Sequence, residues 1–274
     1  MATFAGHLEL KAAPRAAGRT VLAAQSFRAP YHVSKPYWDA DAGTLLVQVV
    51  NPTAGILEGD SLESDISVEE GASLLVTTPS ASRVFKMQNG AAECRQRFTV
   101  AKGGWLEVRP EPLVPHRGSR YRQRTRLDVE VGGTLFFSDL LLPGRVAHGE
   151  AWEWERLQIE TEVWWDGELV LRERFDQSGV ELKALAMASG FGERACFGNA
   201  VLIAEDDGRD AAWKAAVTAL HGNGCWVGVS ALRRGGWSLK IVASEGMKLR
   251  ETLRAVRREL VARFPRLACD ARKL

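Results

Sequence analysis

The sequence predicts a mainly β fold. A large antiparallel β-rich body spans about residues 1–180, followed by a small C-terminal α+β layer with two helices over about 195–265. Three observations carry that expectation. Short runs of β-branched and aromatic residues recur through the first two thirds, bounded by Gly, Pro, Asn and Asp turns. Apolar residues there alternate with period two, and a helical period emerges only near the end. The 274 residues suffice for one β-rich domain, and neither linker composition nor an internal repeat divides the chain.

Each element has a local reason. Short strands are expected at residues 7–11 and 20–27, with loop signals at Ala29-Pro30-Tyr31 and Lys35-Pro36-Tyr37. The run 45–50 (LLVQVV) is a strand that Asn51-Pro52 stops, because proline lacks the ladder donor. Gly55, Gly59 and Asp60 make the next turn, and residues 65–70 alternate weakly up to Glu70-Gly71. Residues 73–78 form a strand ended by Pro79. Segment 93–100 places Cys94 and Phe98 on one face with Gln96 between them. Gly103-Gly104 turns the chain into 105–108, after which Pro110, Pro112 and Pro115 are too dense for a central strand. Segment 121–131 puts Arg122, Arg124, Arg126, Asp128 and Glu130 on one face. Its other face carries Tyr121, Gln123, Thr125, Leu127, Val129 and Val131. Gly132-Gly133 leads into 134–138, and Asp166-Gly167 joins strands 152–164 and 168–175 as a hairpin.

The last third changes character. Residues 210–220 form a helix capped by Asp210, and 226–232 pairs with 237–243 around Arg234-Gly235-Gly236. Leu249, Leu253, Val256 and Leu260 mark an amphipathic helix over about 245–263. Its outer face is basic, with Lys248, Arg250, Arg254, Arg257 and Arg258.

Charge and composition narrow the function classes. Lys and Arg total 36 against 34 Asp and Glu, a balance without the basic excess of a nucleic-acid binder. Cys94, Cys196, Cys225 and Cys269 are scattered without a C-x-x-C, so reduced thiols are expected. No run approaches 18 apolar residues, and MATFAGHLEL lacks the basic and apolar regions of a secretory leader. A soluble, cytoplasmic protein without membrane or nucleic-acid partners is expected.

Few motifs carry chemistry on their own. Gly190-Phe191-Gly192-Glu193-Arg194-Ala195 matches a dinucleotide fingerprint, but strand-like 200–204 leaves no room for the helix that motif needs. No P-loop, nucleophile elbow or H-E-x-x-H is present. Asp139, Arg145, His148 and Glu150 cluster around Gly144 and Gly149. That cluster suits either a polar turn with Arg145 and Glu150 paired, or weak handling of a divalent metal.

Four ordered motifs then point to a family. Asn51-Pro52-Thr53-Ala54-Gly55-Ile56-Leu57-Glu58-Gly59-Asp60 resembles the G-[ILV]-x-x-G-D signature of the urease accessory protein UreD (UreH) family. The run from Thr77-Thr78-Pro79 to Phe85 resembles its TTP-x-A-x-[KR]-[VI]-[YF] segment. Leu106-Glu107-Val108-Arg109-Pro110-Glu111-Pro112-Leu113-Val114-Pro115 resembles its L-E-x-x-P-x-P-x-[IV]-P run, and Gly144 to Glu150, through Arg145 and Gly149, its G-R-x-A-x-G-E. The chain departs in Asn51-Pro52-Thr53-Ala54, where many members have two prolines and two glycines.

The resemblance implies a non-enzymatic scaffold for nickel insertion into apo-urease. It implies UreF, the GTPase UreG and apo-urease as partners, and an internal tunnel conducting nickel(II) to the urease active site. No tightly bound cofactor is implied, only transient nickel(II). A conduit is best served by carboxylates and water, which exchange a divalent ion readily. The acidic lining is expected at Asp60, Asp139, Glu150 and Glu173, with Arg145 orienting a carboxylate. Partner contacts are expected on the proline-rich segment 109–116 and the tryptophan-bearing strands. Two alternatives stand beside this reading. One is a β-rich enzyme such as a glycoside hydrolase, pairing Glu58/Asp60 with Asp139/Glu150. The other is a plain β interaction module, indifferent to nickel.

Overall fold

Two stacked β-sheets, visited in turn by the chain, organise the computed structural model, which describes residues 4–15, 18–205 and 211–271. A hairpin of β1 (Ala5–Pro14) and β2 (Thr20–Arg28) comes first. The short β3 (His32–Val33) and β4 (Tyr37–Asp39) then flank β5 (Thr44–Val50). From β5 the chain shuttles between sheets through β6 (Ser61–Val68), β7 (Ser73–Thr77), β8 (Ser82–Val84), β9 (Ala92–Val100) and β10 (Trp105–Arg109). It continues through β11 (Leu113–Pro115), β12 (Arg120–Val129), β13 (Thr134–Leu141), a small hairpin of β14 (Gly144–Arg145) and β15 (Glu150–Ala151), and β16 (Arg156–Trp165). After β17 (Glu168–Gln177) come α1 (Gly179–Ala188), β18 (Cys196–Ile203), α2 (Ala211–Thr218), β19 (Cys225–Ala231), β20 (Trp237–Ala243) and α3 (Gly246–Val261).

The first sheet runs β17-β16-β12-β9-β6-β1-β2, and the spine of the second runs β19-β20-β18-β13-β10-β7-β5-β3. The mainly β expectation holds, but the antiparallel one needs correction. The inner ladders β1·β6, β6·β9, β9·β12 and β12·β16 are parallel, as are β5·β7, β7·β10 and β10·β13. The reason lies in the turns. Ala72 N–H donates to Glu69 O (3.0 Å), Gly104 N–H to Ala101 O (2.9 Å) and Gly133 N–H to Glu130 O (2.9 Å). Each tight turn throws the chain across to the opposite sheet, so the opposite strand serves as the crossover that a parallel pair requires. The turns also stack: Trp105 N–H reaches Ala72 O, and Thr134 N–H reaches Gly104 O, both at 2.9 Å. A Cβ on Gly104 or Gly133 would lie 2.9 Å from Ala101 O, so this stacking needs glycine.

True hairpins are found where the sequence has hairpin chemistry. Asp166 (φ 50°) and Gly167 (φ 75°) join β16 and β17, as Asp-Gly predicts. Strands β18, β20 and β19 extend the second sheet antiparallel, and α2 and α3 cover its outer face. Leu249, Leu253, Val256 and Leu260 are all buried there, as the stripe predicts. The expected cap Asp210 lies outside the described residues. The basic outer face of α3 is only partly outer. Arg257 is buried, with Nε 2.7 Å from Glu107 Oε1, and Arg250 pairs with Glu111 at 2.6 Å.

The described residues form three α-helices where two are expected. α1 lacks the amphipathic stripe that would announce it, because Val180, Leu185 and Met187 are exposed. Its signal is a capping box, in which Ser178 and Glu181 satisfy each other's backbone N–H. The Gly190–Ala195 fingerprint falls in the loop between α1 and β18. All four cysteines are free and buried.

Candidate functional site

Stacked sheets bury their facing residues, and alternation selects every second side chain of each strand. In the first sheet these inward residues form rows across the strands. One row reads Ile66, Phe98, Leu127, Val163 and Leu171 across β6, β9, β12, β16 and β17. It lies in the main inter-sheet core. The row two residues along reads Ser64, Gln96, Thr125, Thr161 and Glu173, polar at every strand. The next row, Leu62, Cys94, Gln123, Ile159 and Phe175, belongs mainly to a second apolar cluster. A polar track therefore crosses five of the sheet's seven strands between two apolar clusters, and stops at β1, where Leu8 takes the register position beside Ser64.

The second sheet answers with a polar row of its own. Asp139 on β13, Asn199 on β18 and Lys240 on β20 are consecutive register partners. They share the parity of Phe137 and Val201, which pack in the inter-sheet core. Polar atoms in such a space need partners. Tyr121 OH donates to Gln123 Oε1 (3.1 Å), and Thr125 Oγ1 donates to Gln96 Oε1 (3.1 Å). At the far edge, Lys240 Nζ donates to Asn199 Oδ1 (3.1 Å) and Glu173 Oε1 (2.5 Å).

A cavity of about 180 Å³ enters this track. Its rim is made by partly exposed loops at 51–56 and 78–83 together with Pro110, and its deep wall includes Ser64, Gln96, Gln123 and Asp139. Three of the four motifs thus meet at one opening. Gly55 (φ 152°) lets the rim close up, since a Cβ there would lie 2.6 Å from Arg83 O. Thr77 Oγ1 donates to Arg109 O (2.8 Å), and Thr78 Oγ1 accepts from Glu111 N–H (2.8 Å), tying the loops together.

Electrostatics distinguishes the carboxylates. Burial pushes the Asp139 carboxyl up to about 7, and nearby Glu173 raises it further against the opposing charge of Lys240. Burial likewise pushes the Cys94 thiol up to about 11, so near neutrality it remains an uncharged thiol beside Tyr31 and Tyr121. Among the described residues, no three His, Cys, Asp or Glu side chains are grouped to hold a metal ion.

Of the four residues expected to line a path, the structure brings Asp139 and Glu173 together and places the other two elsewhere. Asp60 is buried at the head of β6, accepting Phe4 N–H (2.9 Å) and Leu57 N–H (2.8 Å). Glu150 is held by Arg145 through two bonds of 2.9 and 2.6 Å, which keep its carboxyl below the usual range. Arg145 and Glu150 thus form the pair of a polar turn. Gly144 (φ 116°) and Gly149 (φ 70°) shape that hairpin; Gly59 (φ 83°) turns toward β6. Glu107, though in a motif, faces away from the cavity, toward Arg257 of α3. Glu58, considered for an enzyme's carboxylate pair, instead accepts backbone N–H groups of Gln88, Asn89 and Gly90. The expected tryptophan surface is mostly core: Trp105, Trp152, Trp154, Trp165 and Trp237 are buried, while Trp226 is exposed.

Sequence reasoning missed Ser64, Gln96, Thr125, Thr161, Asn199 and Lys240. Most carry a faint signal, a polar residue at inward parity on a strand face that is otherwise largely apolar.

Fold and site together define a two-sheet β protein with a cavity that opens between three motif-bearing segments and reaches a row of polar side chains between the sheets. The UreD urease accessory protein family model matches residues 5–272, and the chain belongs to that family. It is 62% identical over 271 residues to the urease accessory protein UreD of Opitutus terrae, covering 99% of each chain. It is 26% identical over 242 residues to the UreD of Acetivibrio thermocellus, covering 88% of this chain and 91% of that one. With the UreD of Yersinia enterocolitica it shares 40% identity over 145 residues, 52% of this chain and 44% of the other.

Proposed function

We propose that this chain serves urease maturation by conducting nickel(II) through its interior, from UreG by way of UreF to apo-urease. The observation that carries the reading is the pair of polar rows between apolar clusters, entered by the cavity and ending at Asp139, Glu173, Asn199 and Lys240. Amide, hydroxyl and carboxyl oxygens are hard ligands that hold a hydrated divalent ion weakly and release it. Apolar walls confine the ion to the track without offering it a resting place. The Cys94 thiol, kept protonated by burial, leaves the passage without a thiolate to trap soft metal. Within this reading Asp139 and Glu173 are the charged contacts on the route. Asp60 and Glu150 shape the entrance side through their backbone and arginine bonds.

The test is co-expression of Asp139→Asn and Glu173→Gln, singly and together, with urease and its other maturation proteins. Both substitutions keep shape while removing charge. The expected outcome is a recoverable complex whose urease carries less nickel and less activity, most severely in the double variant. Full nickel loading in the double variant overturns the conduit. Asp60→Asn and Glu150→Gln are expected instead to lower recovery of folded chain, because each unmakes contacts that hold the fold.

A further inference from the structure

The far end of the polar track is occupied by a cation that belongs to the protein. Lys240 Nζ sits 2.5 Å from Glu173 Oε1 and 3.1 Å from Asn199 Oδ1, and Ser238 Oγ lies 3.4 Å from the same carboxylate. Lys240 is half exposed, and Glu173 is less so, with 27% of its side chain exposed. Glu173 lies on β17, at the edge of the first sheet, whereas Asn199 and Lys240 lie in the second. The contact therefore bridges the two sheets where the track meets solvent. The cavity wall ends at Asp139, the register neighbour of Asn199, so Lys240 lies beyond the cavity's deep end.

We infer that Lys240 is a cationic latch closing the Asp139–Glu173 end of the track, which a divalent cation must displace to leave. The inference rests on the conduit reading for its purpose but on the Lys240 contacts for its substance. An ammonium on Glu173 occupies the carboxylate that an arriving ion would use, and its charge repels that ion from Asp139 as well. At about 5 Å that repulsion alone is worth about tenfold in affinity, even at the dielectric constant of water. The latch is also reversible. A lysine has four carbons of free rotation, so it can swing into solvent when a stronger cation takes the carboxylate. A second sheet sliding against the first, or a partner supplying its own carboxylate to Lys240, opens the latch.

The experiment titrates the full-length chain with nickel(II) chloride by calorimetry in a non-chelating buffer. The variants are Lys240→Met, which keeps length without charge; Lys240→Gln, which keeps a donor for Asn199; and Lys240→Arg, which keeps charge. Thermal midpoints establish that each is folded. Lys240→Met and Lys240→Gln are expected to bind nickel about tenfold more tightly than wild type, and Lys240→Arg to bind as wild type. The gain is expected to vanish when either is combined with Asp139→Asn or Glu173→Gln. Unchanged affinity in both neutral variants overturns the latch, as does a gain that survives loss of the carboxylates. Nickel content of co-expressed urease separates this inference from the conduit. Tighter binding with reduced loading supports both, whereas tighter, carboxylate-dependent binding with normal loading supports the latch and sinks the conduit.

Discussion

Asp139 offers the sharpest physical test of the interior. Its carboxyl, ordinarily near 3.8, is pushed up to about 7 by burial first and the Glu173 charge second. The folded protein therefore holds this proton more tightly than the unfolded chain does. The sign follows from linkage: where the folded state binds more protons, stability falls as pH rises. The loss starts near the unfolded value and is complete above the folded one, between about pH 4 and 8. A move from 3.8 to about 7 corresponds to about 4 kcal/mol in all, of which about 3 kcal/mol falls between pH 5 and 8.5. Asp139→Asn removes the titration while keeping the shape. Urea unfolding followed by tryptophan fluorescence at pH 5 and 8.5 reads the difference between variant and wild type. That difference is expected to shift by about 3 kcal/mol in favour of the variant at the higher pH. A difference that stays constant across this range refutes the assignment of Asp139 to a desolvated, like-charged site.

Two further outcomes concern α3. Leu253→Ala and Leu260→Ala, at positions 4% and 0% exposed, are each expected to cost about 2–5 kcal/mol by denaturant unfolding. Arg257→Met removes the ion-pair partner of the fully buried Glu107, and is expected to cost about 3–5 kcal/mol. The double variant with Glu107→Gln is expected to recover part of that loss in the same measurement.

Strand positions were legible because alternation and turn residues are local properties, whereas strand direction depends on where a turn sends the chain. Gly103-Gly104 and Gly132-Gly133 satisfy a hairpin's composition as readily as a crossing between sheets. A discriminating feature does exist. The hairpin between β16 and β17 uses Asp-Gly with both residues at positive φ. The crossing turns use a second glycine because a neighbouring turn is stacked on it: a Cβ on Gly133 would lie 2.9 Å from Ala101 O, and one on Gly104 3.1 Å from Glu69 O. That neighbour lies about 30 residues away in sequence, so no window of a few residues contains it. The long C-terminal helix was legible for the opposite reason: its apolar stripe is local, and its neighbours only confirm it. Arg257 belongs to the same helix and was misplaced on its outer face, because a guanidinium goes inward only where a distant carboxylate, Glu107, waits for it.

The polar track shows the same division between local and distant information. Gln96 between Cys94 and Phe98, and Gln123 and Thr125 among apolar neighbours, are visible as polar interruptions of an inward face. Read alone, each is a buried polar residue seeking a partner. Their alignment comes from parallel register, which sets Ser64 beside Gln96, Gln96 beside Thr125 and Thr125 beside Thr161. The spacings between them are unequal, because loops of different length intervene, so no repeat in the sequence betrays the row. Asp139 and Glu173 were named among the acidic candidates, but nothing near either residue distinguishes it from Asp60 or Glu150. What distinguishes them is what each carboxylate has already bound. Asp60 has two backbone amides and Glu150 has a bidentate arginine, so their charges are committed to the fold. Asp139 faces a cavity, and Glu173 is held by a single flexible lysine and one weak hydroxyl contact. A passing ion competes for a carboxylate only where the fold has left it something to win, and on that ground the proposed route runs through Asp139 and Glu173.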